Sequence, residues 1–368
     1  MNILVTGSNG FIAKNLILEL KNKEFNDISL CNRQTSKAEL DELLKKCDVV
    51  VHLAGVNRPQ NEQQFKIDNV NFTKYIIDFL QRNNNKAKII YSSSIQADKN
   101  NLYGISKKDA EEIILEYNMS TDTEVKILRL PNVFGKWCRP DYNSVVATFC
   151  NNIARDYPIK INDRDSMIKL VYIDDVVDCI IDCINGYDTG NKYCDVKPVY
   201  DISVGQLADI IYSFKKQRTE LCVPRVDNDF EKKLYSTYLS YMPLNDFGYD
   251  LKMNCDDRGS FTEIIRTNTT GQISVNIAKP GITKGNHWHN TKVEKFVVVK
   301  GIASIKFRHM ITGEEVEYIV SGDNIKVIDI PVGYTHNITN IGTDDLVTVM
   351  WANEPFNKDR PDTYYEKV

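Results

Sequence analysis

The sequence lacks the features that mark membrane-spanning and secreted proteins. Its 368 residues contain no apolar run long enough to cross a bilayer. The chain opens directly on a strand-like stretch, Met1 to Gly7, where a signal peptide would place a basic segment followed by an apolar one. We therefore expect a cytoplasmic protein.

A strong charge of one sign and closely spaced cysteine pairs are also missing. The formal net charge of -4 gives no electrostatic reason to expect nucleic acid or an acidic membrane as a partner. The nine cysteines are scattered between Cys31 and Cys255 without a CxxC pair, and Cys179 and Cys183 are expected to share a buried helix face. Reduced thiols are the simplest interpretation.

Neither internal repeats nor a low-complexity linker divides the chain, but its length suffices for two domains with separate cores. A charged and aromatic stretch, residues 227–249, carries a helical pattern over residues 230–241. It separates a region of alternating strands and helices from a region of short strands. We therefore predict two domains, residues 1–247 and 248–368.

Short strands with an alternating apolar pattern follow one another in the second region, separated by glycine and Asn/Asp turns. This arrangement predicts a small β-barrel or jelly roll. The predicted strands cover residues 272–279, 296–299, 303–308, 316–320, 325–330 and 346–351.

Histidine is rare, and three of the five histidines lie in two short segments of this region. His287 and His289 are two apart in a predicted strand, so both imidazoles point to one side. Glu294 follows them, and His336 supplies a third imidazole. Three imidazoles and a carboxylate suit a metal such as zinc, with a position left for water or substrate. The simpler alternative is a set of histidines that only form hydrogen bonds.

The two histidine segments resemble the two motifs of the cupin superfamily. Gly322, the nearest glycine before the second motif, lies farther away than usual, which indicates a longer hairpin. The resemblance implies a metal ion held by His287, His289, Glu294 and His336. Gly281, His287, His289, Glu294 and Gly301 match the first motif, and Pro331, Gly333, His336 and Asn340 match the second.

The first region opens with a predicted strand over residues 2–6, a glycine turn from Gly7 to Gly10, and an amphipathic run to Leu20. Such a turn lets backbone N–H groups approach a pyrophosphate at the N-terminus of a helix. The second strand, residues 28–31, is followed by Arg33, which would pair with the 2′-phosphate of NADP. NADPH is therefore the favoured cofactor. A solvated surface charge at Arg33 is the alternative.

A third apolar strand, residues 49–54, ends in a loop that begins at Gly55. Ligands bind at this carboxyl edge of parallel sheets. His52 lies inside the strand, where a hydrogen-bonded core residue is the expected role.

A serine-tipped strand and a Tyr-Lys pair provide the candidate chemistry of the first region. Ser92, Ser93 and Ser94 follow a strand over residues 88–91. Tyr103 and Lys107 are four apart on one face of the next helix. The ammonium group is expected to lower the phenol pKa, so that Tyr103 can transfer a proton while a serine hydroxyl binds the substrate carbonyl. A surface Tyr-Lys pair is the alternative.

These segments resemble the extended short-chain dehydrogenase/reductases. Gly7 and Gly10 match the TGxxGxxG fingerprint, with Ala13 in place of the third glycine. Ser94, Tyr103 and Lys107 match the catalytic positions, although the short gap after Ser94 leaves the choice among the three serines open. The resemblance implies a doubly wound Rossmann-type parallel α/β sheet, followed here by an all-β cupin jelly-roll barrel. It implies cofactor contacts from Gly7, Ser8, Asn9, Gly10, Phe11, Ile12, Arg33, Leu53, Ala54, Gly55, Tyr103 and Lys107.

The start of the second region adds a further resemblance. The Asp-Arg-Gly-x-Phe-x-Glu run that ends at Glu263 is similar to the opening of the dTDP-4-dehydrorhamnose 3,5-epimerases, which are cupins that act on 4-keto sugar nucleotides. A base must remove the proton beside the ketone. Lys292, Lys295 and Tyr334 lie near the motifs, and nothing in the sequence ranks them.

With a reductase domain followed by a cupin domain, the entire chain resembles the bifunctional reductase–epimerases of capsular polysaccharide synthesis. The resemblance implies a UDP-linked 2-acetamido-2,6-dideoxy-4-hexulose as substrate, epimerised at C3 by the cupin domain. Reduction at C4 with NADPH would then yield UDP-2-acetamido-2,6-dideoxy-L-talose, a precursor of UDP-N-acetyl-L-fucosamine. One zinc ion per cupin domain and a homodimer are also implied.

Two other functions are compatible with the sequence. In the first, the chain is an NADP-dependent sugar-nucleotide reductase whose zinc cupin is structural and serves dimerisation. In the second, it is a regulator that senses NADP without turnover. The intact pair of Tyr103 and Lys107 argues against the sensor, because a sensor needs no proton donor.

Overall fold

The computed structural model describes residues 1–187, 190–225, 227–267 and 271–368. The chain divides into two compact units, one formed by Met1–Ser213 and Asp227–Pro243, the other by Phe214–Val226 and Leu244–Val368. The predicted boundary after residue 247 therefore falls inside the second unit. Among the described helices, none combines the length and the apolar character needed to cross a membrane.

The first unit is built on a parallel five-stranded sheet of order β2-β1-β3-β4-β5. Its short apolar strands are covered on both faces, as expected for a parallel sheet. The order reverses between β1 and β3, which makes their carboxyl ends the natural ligand edge. The strands are β1 (Ile3–Thr6), β2 (Ile28–Cys31), β3 (Val49–His52), β4 (Lys88–Ser94) and β5 (Val125–Leu130).

Helices cover both faces of this sheet, which confirms the doubly wound α/β arrangement. Successive strand residues point to opposite faces. Ile3 and Val5 therefore join one apolar core with α1 and α6, whereas Leu4 joins another with α2, α3 and α4. The covering helices are α1 (Phe11–Asn22), α2 (Lys37–Lys46), α3 (Phe72–Arg82), α4 (Leu102–Thr121) and α6 (Ile173–Asn185). The other helices are α5 (Val145–Ala154), α7 (Val204–Glu220) and α8 (Asp229–Leu239).

Shorter elements complete the first unit. A π-helical segment, Phe65–Asn71, precedes α3 and runs directly into it. A 3-10 turn, Ile95–Asp98, joins β4 to α4. A three-stranded sheet has the order β6-β7-β8. Its strands are β6 (Asn132–Phe134), β7 (Met167–Tyr172) and β8 (Tyr200–Ser203).

The second unit contains two antiparallel sheets that share an apolar core. Phe296 and Val298 from one sheet pack with Ile305, Phe307 and Ile338 from the other. The orders are β16-β13-β18-β11-β10-β9 and β15-β14-β17-β12-β19. The strands are β9 (Met253–Asp256), β10 (Gly259–Thr267), β11 (Gly271–Ala278), β12 (Thr283–Trp288), β13 (Glu294–Lys300), β14 (Ile302–His309), β15 (Glu315–Ser321), β16 (Val327–Ile330), β17 (Tyr334–Asn340), β18 (Leu346–Ala352) and β19 (Tyr364–Tyr365).

The alternating pattern predicted the apolar strands and missed several polar ones. In β17, Thr335, His336 and Asn337 are buried beside Ile338, so polar side chains occupy positions where the pattern requires apolar ones. In β10 the residues after Ser260 are half-buried all along the strand, and no alternation arises. These polar strands line the cavity described below.

A buried carboxylate ties the reactive edge of the first sheet to its neighbours. Glu111 on α4 accepts a hydrogen bond from the Ser93 hydroxyl at the end of β4. Arg129 on β5 donates to the same carboxylate from Nη2 at 2.6 Å and from Nε at 3.0 Å, and the Tyr193 hydroxyl lies 3.2 Å away. Glu111 is almost inaccessible to solvent. Arg129 therefore balances a charge that water does not reach.

We expect the Arg129→Met substitution to lower the free energy of unfolding by about 3 kcal/mol, because it leaves the Glu111 carboxylate buried without its cation. The measurement is equilibrium urea unfolding of the full chain, followed by the helical circular dichroism signal. The double variant Glu111→Gln, Arg129→Met should regain part of the loss, since the buried charge is then absent. Equal stabilities of the single and double variants would contradict this account.

Candidate functional site

The glycine turn after β1 approaches the loop after β3 closely. Gly7 has a φ of +66°, and a Cβ atom there would lie 2.8 Å from the Ala54 Cα. Only glycine fits this combination of left-handed backbone and close approach. The turn and the Leu53–Gly55 loop are thereby held side by side at the point where the strand order reverses.

The N-terminus of α1 is open to an anion. Within the described residues, no side chain caps this helix and no acidic residue occupies its first turn. Gly10 is the N-cap residue, and its N–H donates to the Gly7 carbonyl at 2.8 Å. The first N–H groups of α1, from Phe11 and Ile12 onward, are therefore suited to a pyrophosphate. Ser8 is held in the turn by its own N–H, which donates to the Cys31 carbonyl at 3.1 Å.

Arg33 and His52 occupy contrasting environments. The Arg33 side chain is 82% exposed, and its guanidinium lies 3.8 Å from the Asp68 carboxylate, a pairing that is weak in water. His52 is buried between the hydroxyls of Thr6 and Thr73, at 2.7 and 2.9 Å. Burial, together with the nearby Lys107 charge, lowers the pKa of His52 to about 3. His52 is therefore a neutral, hydrogen-bonded core residue, as its position inside the strand predicts.

The three consecutive serines at the end of β4 have different partners. The Ser92 hydroxyl donates to the His52 carbonyl at 3.3 Å, and the Ser93 hydroxyl donates to Glu111. The Ser94 hydroxyl accepts from the Gln96 N–H at 3.1 Å, and it lies close enough to the Tyr103 phenol to act on the pKa of that group. Of the three, Ser94 is thus the serine whose side chain meets the candidate proton donor.

Lys107 is buried and Tyr103 is half-buried next to these serines. The Lys107 ammonium donates to the Ser92 carbonyl at 2.8 Å and lies 4.7 Å from the centre of the Tyr91 ring. Burial lowers the pKa of Lys107 to about 8, although the Glu111 charge opposes this shift. Burial also raises the pKa of Tyr103, and the nearby Ser94 hydroxyl opposes this shift. The lowered phenol pKa expected from the sequence is therefore wrong for the chain without a cofactor, because desolvation dominates.

Asn69 is a site residue that the sequence did not single out. Its amide nitrogen donates to the Val56 carbonyl at 3.0 Å and to the Ser106 hydroxyl at 2.9 Å, and its oxygen accepts from the Val56 N–H at 2.8 Å. A Cβ atom on Gly55 would lie 2.9 Å from the Asn69 amide oxygen and 3.4 Å from the Lys107 nitrogen. Asn69 therefore fixes the loop after β3 beside Lys107. An asparagine in a helical pattern carries no signal of this kind in sequence.

The second unit brings together the four residues predicted to hold a metal. One potential ligand atom from each of His287, His289, Glu294 and His336 lies within 4.8 Å of every other. The Glu294 Oε2 atom is 3.5 Å from the His289 Nε2 atom and 3.4 Å from the His336 Nε2 atom. His287 lies in β12 and His289 in the turn after it. Glu294 begins β13, and His336 lies in β17. A bulge between Gly285 and His287 interrupts the pairing of β12 with β17 just before the first histidine.

The donor set of this cluster fits a divalent metal. Among the described residues, the Nε2 atoms of His289 and His336 and the Oε2 atom of Glu294 are buried without a hydrogen-bond partner. Burial and the neighbouring imidazoles lower the pKa of His287 to about 4. Burial acts to raise the pKa of Glu294, but the adjacent His289 and His336 rings outweigh it and hold the pKa at about 2. Neutral imidazole and a carboxylate are the forms that bind zinc.

A cavity of about 680 Å³ opens onto this cluster. Lys292, buried and lining the cavity, donates to the Pro361 carbonyl at 2.8 Å. Lys284 also lines it, and burial lowers the pKa of that lysine. Lys295 is paired with Asp329 on the outside, and Tyr334 packs against the His309 ring. Charged pairs at the cavity wall are Asp256 with Arg258 and Glu263 with Arg266, each at 2.6 Å.

Comparison with known proteins relates both units to described families. Residues 3–197 match the NAD dependent epimerase/dehydratase family, and residues 254–364 match the polysaccharide biosynthesis C-terminal domain. A UDP-2-acetamido-2,6-beta-L-arabino-hexul-4-ose reductase from Pseudomonas aeruginosa is 44% identical over 99% of this chain and 98% of that enzyme. A putative UDP-glucose 4-epimerase from Methanocaldococcus jannaschii is 27% identical over 67% of this chain and 92% of its own length.

A solved structure extends the likeness to the whole fold. The crystal structure of the capsular polysaccharide assembling protein CapF from Staphylococcus aureus superposes with a TM-score of 0.94 at 50% identity, and all of both chains is covered. The whole-chain resemblance predicted from the order of the domains is therefore confirmed. The chain belongs to the NAD dependent epimerase/dehydratase family and carries a polysaccharide biosynthesis domain at its C-terminal end.

Proposed function

We propose that this chain is a bifunctional sugar-nucleotide enzyme that makes a precursor of capsular polysaccharide. Its second unit, a cupin, epimerises C3 of a UDP-linked 2-acetamido-2,6-dideoxy-4-hexulose, and its first unit reduces the C4 ketone with NADPH. The observation that carries the proposal is that each unit holds its own buried cluster of reactive side chains. The name of the Pseudomonas relative supports the substrate class, and that of the Staphylococcus relative supports the role in capsular polysaccharide.

The first unit provides the proton and the binding groups for the reduction. The family implies a nicotinamide cofactor, and bound NADPH supplies the hydride to C4. Tyr103 donates its phenolic proton to the developing C4 oxygen, while Ser94 binds that oxygen and the phenol. The Lys107 ammonium supplies the positive charge that stabilises the resulting phenolate. The exposed guanidinium of Arg33, just after β2, supports NADPH over NADH.

The second unit provides the site for epimerisation. The C3 proton is acidic because its removal gives an enolate shared with the C4 ketone, and its return on the other face inverts C3 without a change in composition. His287, His289, Glu294 and His336 would hold zinc, which as a Lewis acid stabilises negative charge on a ketone oxygen. Lys284 and Lys292 are the lysines of the cavity wall and the first candidates for the base.

The separate roles can be tested with a UDP-linked 2-acetamido-2,6-dideoxy-4-hexulose and NADPH in deuterated water. We expect the full chain to form a C4-reduced sugar that carries deuterium at C3. The His336→Ala variant should lose the deuterium and the inversion, because it removes one of the four metal ligands. NMR of the product measures both outcomes.

Two controls belong to this experiment. A sample without enzyme gives the spontaneous exchange at C3, and His309→Ala removes a histidine that packs on Tyr334 outside the four-ligand cluster. The His309→Ala variant should behave as the parent does. Reduction by the parent chain without deuterium at C3 would reject epimerisation and favour a structural metal site.

The Tyr103→Phe substitution should slow reduction by about 10²- to 10⁴-fold, because the ring stays in place and only the transferable proton is lost. NADPH affinity, measured by fluorescence titration, should not change, and deuterium exchange at C3 should continue. A chain that senses NADP without turnover would be unaffected by the substitution. Undiminished reduction in the variant would therefore overturn the role of Tyr103.

The rate of reduction should depend on the charge of Lys107. Its pKa is lowered from the ordinary lysine value to about 8, so the ammonium form is complete well below pH 8 and is lost as the pH rises through that value. We expect kcat/KM to be level in the acidic range and to fall above about pH 8. In Lys107→Arg the charge persists, so the decline should move to higher pH even if the rate is lower. A decline at the same pH in both proteins would exclude Lys107 as its source.

A further inference from the structure

The C-terminal segment of the chain is fastened to the turn that carries His289. The Asp362 carboxylate accepts hydrogen bonds from the N–H groups of Asn290 at 3.0 Å, Thr291 at 2.8 Å and Lys292 at 2.9 Å. It also accepts the Thr291 hydroxyl at 2.9 Å. This turn joins β12 to β13, and therefore joins the histidine ligands to Glu294.

The backbone of Asp362 contacts one of the four clustered side chains directly. Its carbonyl oxygen lies 2.6 Å from the His289 Nδ1 atom. A carbonyl oxygen only accepts, so Nδ1 carries the proton and Nε2 is left with a free electron pair. That Nε2 atom is the one that lies 3.5 Å from the Glu294 carboxylate. The contact thus selects the tautomer and the ring orientation that a metal ligand needs.

The backbone conformation of Asp362 explains the choice of residue. Its φ is +38°, in the left-handed region that aspartate and asparagine tolerate better than most residues. This bend turns the carboxylate toward the 290–292 turn while the carbonyl of the same residue reaches His289. The neighbouring β19 continues the attachment, because Tyr364 and Tyr365 pair with Trp288 and His287.

We propose that Asp362 is a positioning residue for the metal site, 73 residues distant from the ligand that it orients. The carboxylate locks the turn between β12 and β13 against the C-terminal segment, and the carbonyl sets the tautomer of His289. The proposal rests on the function proposed above for the His287, His289, Glu294 and His336 cluster. It gives Asp362 and the adjacent strand β19 a structural role in forming that cluster.

The test is the zinc affinity of the full chain, measured by competition with a chromophoric chelator. Asp362→Asn keeps the size and the left-handed preference, but its amide nitrogen does not accept from the three donors that face Oδ2. We expect zinc to bind about 10- to 100-fold more weakly, as is usual when a group that orients a metal ligand is lost. Thr291→Val removes one of these hydrogen bonds and should weaken binding by less.

Asp359→Asn is the matched control, since this exposed aspartate lies in the same segment, whereas the hydrogen bonds to the 290–292 turn are made by Asp362. Zinc affinity should be unchanged there. NADPH binding, measured on every variant, checks that the chain remains folded. Unchanged zinc affinity in Asp362→Asn would overturn the positioning role. A parent chain that binds no zinc would instead overturn the proposed metal site itself.

Discussion

Burial of polar side chains is the constraint on which both candidate sites depend. A buried polar or charged group costs free energy unless another group pairs with it. In the first unit Glu111 meets this condition with Ser93, Arg129 and Tyr193. In the second unit the converging atoms of His289, Glu294 and His336 remain unpaired among the described residues, which is the state that a metal ion would relieve.

The same constraint connects each reactive group to its scaffold. Ser94 is placed because its two neighbours are held, Ser93 by the buried carboxylate of Glu111 and Ser92 by the ammonium of Lys107. His289 is placed because Asp362 is fastened to the turn in which His289 lies, and β19 pairs with the end of β12. In both units a carboxylate outside the reacting set, Glu111 or Asp362, contributes to the rigidity that preorganised sites require.

Sequence reasoning succeeded where apolar residues recur with the period of a strand or a helix. The apolar strands and amphipathic helices of the first unit follow their periodicity, and the parallel sheet that the family resemblance implied is present. The residues predicted for the two clusters do meet, as Tyr103 meets Ser94 and the three histidines meet Glu294. Reasoning failed for β10 and β17, because strands that line a polar cavity do not alternate. It also failed for the Tyr103 pKa, because burial is invisible in a sequence.

The sequence by itself determined the local geometry: a glycine where the backbone must be left-handed, a tyrosine and lysine one helical turn apart, and two histidines two residues apart near the end of one strand. These follow from chain geometry within a few residues. Only the tertiary structure decided which of three serines faces Tyr103. It also decided that Asn69 fixes the loop after β3 beside Lys107, and that the Asp362 carbonyl accepts a hydrogen bond from His289. Those contacts join residues distant in the chain, and they depend on which strand ends the folded sheets bring together.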